Sequence, residues 1–201
     1  MESRNSSHRD GSLRAPWWDY QSTGAYFITI CTGNKKACFG HIVNEIMCLS
    51  IEGAIAYQFW ESIPNHFPFI RLGEFIVMPD HVHGILFIDR DYSISKVQVP
   101  YMDLGFDYKN LADNSDSGYL FNLDDKSKQA QWMSFISPKR GSLASVVRSY
   151  KSTVSKYCRS VNPDFSWQPL YFERIITNEM ELYQISEYIW LNPKRWRDKL
   201  T

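Results

Sequence analysis

The sequence predicts an α+β domain: a four-stranded antiparallel sheet with two helices on one face and an additional helix toward the C-terminal end. Three observations predict it. Strand-length runs rich in β-branched and aromatic residues occur at 25–32, 69–78, 81–89 and 171–177. The second and third are separated only by Pro79-Asp80, which forces a hairpin. Apolar residues return at helical intervals over 49–63, 142–159 and 179–191.

The first strand, Ala25-Tyr26-Phe27-Ile28-Thr29-Ile30-Cys31-Thr32, stops at Gly33-Asn34. The first helix places Ile51, Ile55, Phe59 and Ile63 at steps of four on one face, and Pro64 ends it. The hairpin at 69–89 follows. The second helix carries Leu143, Val147, Tyr150, Val154 and Tyr157 as its apolar stripe. After the fourth strand, Asn178 is the expected N-cap of the third helix, and Pro193 stands just past its end. Strand, helix, strand, strand, helix, strand is the order of the split βαβ, or ferredoxin-like, arrangement, which RNA-recognition domains share. The last helix is surplus to it and free to cover the other face.

A chain of 201 residues fits one domain with appendages. Residues 1–16 are polar and read as a flexible arm. Residues 17–201 read as the domain, interrupted at about 90–137 by an acidic insertion with seven Asp against four Lys and little periodicity. Hydrophobic residues make up 44%, which excludes disorder throughout. Cys31, Cys38, Cys48 and Cys158 form no C-x-x-C pair, so neither a zinc ribbon nor a disulfide framework is indicated. With no targeting segment and no apolar stretch approaching a membrane span, the expectation is a soluble protein of a reducing compartment. Net charge is zero, which argues against a uniformly basic nucleic-acid binder, yet it conceals a local excess. Residues 137–160 contain Lys139, Arg140, Arg148, Lys151, Lys156 and Arg159 and no acid. Interleaved with serines, this +6 segment suits phosphate contacts as well as a solvated face.

Two further patterns bear on chemistry. On a strand, His81 and His83 point to one side and Val82 to the other, so the two imidazoles can converge on a metal ion; two unrelated histidines would look the same. On the last helix, Tyr188 and Asn192 are four apart and share a face, beside the apolar Leu182, Ile185 and Ile189. A tyrosine at such a boundary is also an ordinary packing residue.

Taken together, these stretches resemble the single-tyrosine HUH transposases, and in particular the REP-associated tyrosine transposases. The likeness lies in Asp19-Tyr20 with the 25–32 strand, in Glu74-Phe75-Ile76-Val77-Met78-Pro79-Asp80-His81-Val82-His83-Gly84, in Gly141-Ser142-Leu143 through Ser149-Tyr150-Lys151-Ser152, and in Trp167-Gln168-Pro169 through Tyr188-Ile189-Trp190-Leu191-Asn192-Pro193. The resemblance implies a ferredoxin-like fold and an endonuclease that cleaves and rejoins single-stranded or hairpin DNA through a 5′-phosphotyrosine. It implies a divalent cofactor, Mg²⁺ or Mn²⁺, held by His81 and His83 with Asn192 in the place of a third ligand. It implies Tyr188 as nucleophile, DNA-backbone contacts from the basic helix and the arm, and a cytoplasmic, nucleoid-associated location. Monomer and homodimer both occur among such proteins. Tyr183 is the decoy: it lies about 140° around the helix from Tyr188, so both cannot face one metal.

Two rival readings remain. One is a non-catalytic nucleic-acid module of the RNA-recognition type, although the glycine-aromatic strand signature is missing. The other is a small metallohydrolase that uses His81, His83 and either His66 or His41, with water as nucleophile.

Overall fold

Alternation along one central strand organises the molecule. In β1 (Gly24–Cys31), Tyr26, Ile28 and Ile30 enter the larger apolar core while Phe27 turns to the opposite face. The structure, a computed structural model, describes residues 22–90 and 138–196. The expected arm at 1–16, Asp19 and Tyr20, and all but the first residue of the expected insertion lie outside the described residues.

β1 pairs antiparallel with β5 (His81–Ile88), from Gly24 opposite Ile88 to Cys31 opposite His81. β4 (Ile70–Met78) pairs with β5, and β6 (Phe172–Ile176) with β1, giving the order β4-β5-β1-β6. This is the expected ferredoxin-like sheet, with strand limits within one residue of those read from the sequence. Helices α1 (Ile51–Glu61) and α3 (Leu143–Val161) cover one face. There Trp60, Val82, Leu86, Val147, Tyr150 and Val154 meet Tyr26 and Ile28 in the main core. Helix α4 (Glu179–Trp190) covers the other face through a smaller cluster of Phe27, Ile85, Ile176, Ile185 and Ile189. A short helix, α5 (Asn192–Trp196), follows it.

Three features differ from expectation. A hairpin of β2 (Gly40–Val43) and β3 (Ile46–Leu49) occupies a stretch to which no element was assigned. Its turn places Asn44 and Glu45 at φ 49° and 66°, and a glutamate in that conformation gives no turn signal. Pro64 does not merely end a helix. The chain breaks at Ser62, and Pro64 stands in the first turn of a separate α2 (Ile63–His66), where its missing N–H is not needed. Finally, of the expected apolar face Ile55, Phe59 and Ile63 do pack on the main core, but Ile51 is exposed, and the buried positions of α1 are Gly53, Ala56 and Trp60. The cause is close approach on that side. A Cβ at Gly53 would lie 2.1 Å from the Phe39 carbonyl oxygen, and the Trp60 ring packs directly against Gly84 of β5.

Candidate active site

β5 alternates sharply. Val82, Leu86 and Ile88 enter the main core, while His81, His83 and Ile85 face α4. The turn before it is fixed from outside: the Thr32 amide and hydroxyl both donate to the Asp80 carbonyl, and the Phe39 amide donates to the Pro79 carbonyl. His81 and His83 therefore leave a rigid turn on one face, each only 6% exposed, with ring centroids 4.3 Å apart.

Each imidazole is held at Nδ1. His81 Nδ1 meets the Asp80 carboxylate, and His83 Nδ1 lies 2.8 Å from Thr29 Oγ1. Holding Nδ1 makes Nε2 the atom each ring would offer a metal. On the Nε2 side of His83 stands Tyr188, its hydroxyl 3.4 Å away. Phe27 stacks on His83 at 5.3 Å and meets the Tyr188 ring edge-on at 6.2 Å. Arg195 Cζ lies 5.7 Å from the Tyr188 ring centroid, and Trp196 lies 5.8 Å from the His81 ring.

The pose of Tyr188 follows from how α4 begins. Asn178 accepts from the Glu181 amide at 2.8 Å, as its N-cap position requires. Glu181 in turn accepts from the amide and hydroxyl of Thr177 and pairs with Arg174 of β6 at 2.6 Å. The Thr177 amide bond, chiefly, holds the Glu181 carboxyl below its ordinary range, with the Thr177 hydroxyl and Arg174 adding to the effect. Ile185 and Ile189 then fix the rotation of the helix, and Tyr188 faces the histidines. Tyr183, 67% exposed, points away.

Asn192, at the start of α5, is buried. Its amide nitrogen donates to the Tyr188 carbonyl at 3.4 Å, which ties it to the turn that carries the tyrosine. Among the described residues no group of three or more His, Cys, Asp and Glu side chains is gathered as a metal site, so His41 and His66 do not complete one with the pair.

The six basic residues divide. α3 packs on the sheet face opposite His81 and His83. Lys151 is half-buried and donates to the carbonyls of Gln168 and Leu170, both at 2.9 Å; burial lowers its pKa. Arg159 Nε donates to the Phe165 carbonyl at 3.1 Å. Lys139, Arg140, Arg148 and Lys156 are exposed, and Arg148 borders a groove with Ser145, Ser149, Ser152 and Thr153. Sequence reasoning missed Thr29, Phe27 and Arg195. Only Asp80, a carboxylate immediately before a histidine, carried a legible signal.

Among proteins of known sequence, an uncharacterized protein of Haemophilus influenzae is 35% identical over 193 residues, covering 94% of this chain and 91% of that one. The chain belongs to that protein's family. The two proteins thus match over nearly their whole lengths. No protein-family model matches the chain. In fold, this chain is similar to a REP-associated tyrosine transposase solved bound to a REP hairpin: TM-score 0.51 at 15% identity, covering 90% of this chain and 74% of that one. A transposase-like structure from Deinococcus radiodurans aligns at TM-score 0.38 and 14% identity, over 89% of this chain and 95% of that one, and is too distant to bear on the argument.

Proposed function

We propose that the protein cleaves and rejoins single-stranded DNA by transesterification at Tyr188. The observation that carries this reading is the Tyr188 hydroxyl 3.4 Å from His83 Nε2, beside a second, buried histidine on the same sheet face. The fold likeness to a hairpin-bound tyrosine transposase supports it.

The phenolic oxygen of Tyr188 attacks phosphorus. The bond to the 3′ oxygen breaks, that oxygen leaves as a hydroxyl with a proton, and the 5′ phosphate stays on the tyrosine. A phenolate is a good leaving group, so the reverse attack by a 3′ hydroxyl rejoins a strand without a nucleotide cofactor. Phe27 and the α4 packing orient the ring, and Arg195 offers its charge to a phosphate oxygen nearby. Two imidazoles held at Nδ1 are donors suited to a divalent ion, and Asn192 Oδ1 would be its third donor. Such an ion, Mn²⁺ or Mg²⁺, would supply Lewis-acid stabilisation to the phosphate. Exposed Lys139, Arg140, Arg148 and Lys156 would contact backbone beyond the cut, and Lys151 and Arg159 would act through the loop they hold.

The test is incubation of the chain with single-stranded and hairpin DNA plus Mn²⁺, followed by denaturing electrophoresis. A covalent protein–DNA band is expected. Hydrolysis without an adduct would favour a water-using hydrolase, and binding without cleavage a recognition module.

A further inference from the structure

A row of rings leads from the site to the edge of the sheet. Tyr188 and His83 both touch Phe27, and Phe27 meets Phe172 edge-on at 6.2 Å. Phe172 opens the edge strand β6 directly opposite Thr29, and it is 45% exposed. Two residues earlier stands Leu170, 80% exposed and held at φ 65°. An apolar side chain in the left-handed region and in solvent carries two costs at one position.

The surrounding structure holds that loop. The Lys151 ammonium donates to the carbonyls on both sides of Pro169, at Gln168 and Leu170, and the Trp167 indole donates to the Lys151 carbonyl at 3.0 Å. Burying half of a lysine to clamp two loop carbonyls makes the segment rigid, so its apolar residues are presented rather than merely left over. One nearby charge suits a polyanion: Arg195 stands across Tyr188, whereas Arg174, which follows Phe172 on the same side of β6, is paired with Glu181.

We propose that Phe172, with Leu170 beside it, is a stacking platform for an unpaired nucleobase next to the phosphate that reacts with Tyr188; this rests on the single-strand DNA reading above. Aromatic faces accept any base, so the platform selects unpaired over paired strands rather than one sequence. It also sets the direction in which the strand leaves the site, toward the β6 edge.

The test uses the full chain carrying Tyr188→Phe, which removes the nucleophile, and compares a fluorescein-labelled oligothymidylate with a blunt duplex by anisotropy. Phe172→Ala is expected to weaken oligothymidylate binding about 5- to 100-fold and to leave duplex binding unchanged. Phe172→Trp is expected to preserve it. Phe172→Leu, which keeps the apolar packing, is expected to lose binding as the alanine does, and this separates stacking from misfolding. Quenching of 2-aminopurine placed along the strand should be greatest at one position and disappear in Phe172→Leu. Unchanged binding in Phe172→Ala, or equal losses on duplex and single strand, overturns the platform. If the unmodified chain still forms a covalent adduct in that case, the transesterase reading survives alone. Absence of any single-strand binding by the unmodified chain overturns both.

Discussion

Thr29 Oγ1 lies 2.8 Å from His83 Nδ1, across the β1–β5 pair in which the two residues stand directly opposite each other. A ligating Nε2 requires Nδ1 to carry the proton, and the Thr29 hydroxyl is the acceptor placed to hold it. Thr29→Val keeps the side-chain shape and removes that acceptor. It should weaken Mn²⁺ binding about 10- to 100-fold in calorimetric titration, with Thr29→Ser restoring it. The ¹⁵N shifts of His83 should change with the valine. Unaltered affinity and unaltered shifts would show that the bond is only structural.

His81→Ala removes one of two imidazoles from a site with no third histidine, cysteine or carboxylate gathered among the described residues. Mn²⁺ affinity should fall more than in Thr29→Val, because a ligand itself is lost. The variant should remain folded by circular dichroism. A titration matching the unmodified chain would remove His81 from the metal site.

Tyr188→Phe deletes one oxygen and keeps the ring against Phe27. Folding and DNA binding should persist while covalent attachment disappears; Tyr183→Phe, altering an exposed ring, should still form the adduct. With DNA labelled on either side of the cut, only the label 3′ of it should travel with the protein. The reverse pattern between the two variants would reassign the nucleophile, and attachment of the other label would reverse the polarity.

Gly84 lets the main core close behind the histidines. A Cβ there would lie 2.2 Å from Trp60 Cζ2, and the indole, wholly buried between Phe75 and Tyr150, has nowhere to retreat. Gly84→Ala should destabilise by about 1–3 kcal/mol in denaturant titration. No change in the midpoint would mean that Trp60 can relocate.

Glu181 has its carboxyl pKa lowered, first by the Thr177 amide bond. A group with a depressed folded pKa contributes stability above its unfolded pKa and loses it as pH falls through the folded value. Melting temperatures of the unmodified chain and Glu181→Gln should therefore differ most near neutrality and converge in acid, below the ordinary carboxylate range. A difference independent of pH would assign the effect to lost packing.

Much of this arrangement was legible in the sequence because local patterns dictated it. The alternation around Val82 put both histidines on one face, and the Pro79-Asp80 turn fixed where they start. Asn178 marked the start of the tyrosine helix, and its apolar spacing set the rotation that separates Tyr188 from Tyr183. What escaped was decided by contacts between distant segments. Trp60 joined the buried side of α1 because Gly84 leaves it room, and the β2–β3 hairpin turned on a glutamate. Thr29 read as an ordinary strand residue until its partner across the sheet was known. The basic segment read as one surface, yet Lys151 is spent on a loop some twenty residues away because its backbone carbonyls needed a donor.

The sheet divides the apolar interior into two unequal parts. Helix α4 rests on a small cluster of five buried side chains, whereas α1 and α3 share the larger core. Opening free energies follow the apolar surface that opening exposes, so the two sides form separate units of stability. Helix α4 is then expected to open at lower cost than α3, and its amides should take up deuterium ahead of those in α3. If Tyr188 reacts as proposed, release of α4 would carry an attached strand away while the sheet keeps His81 and His83 in place.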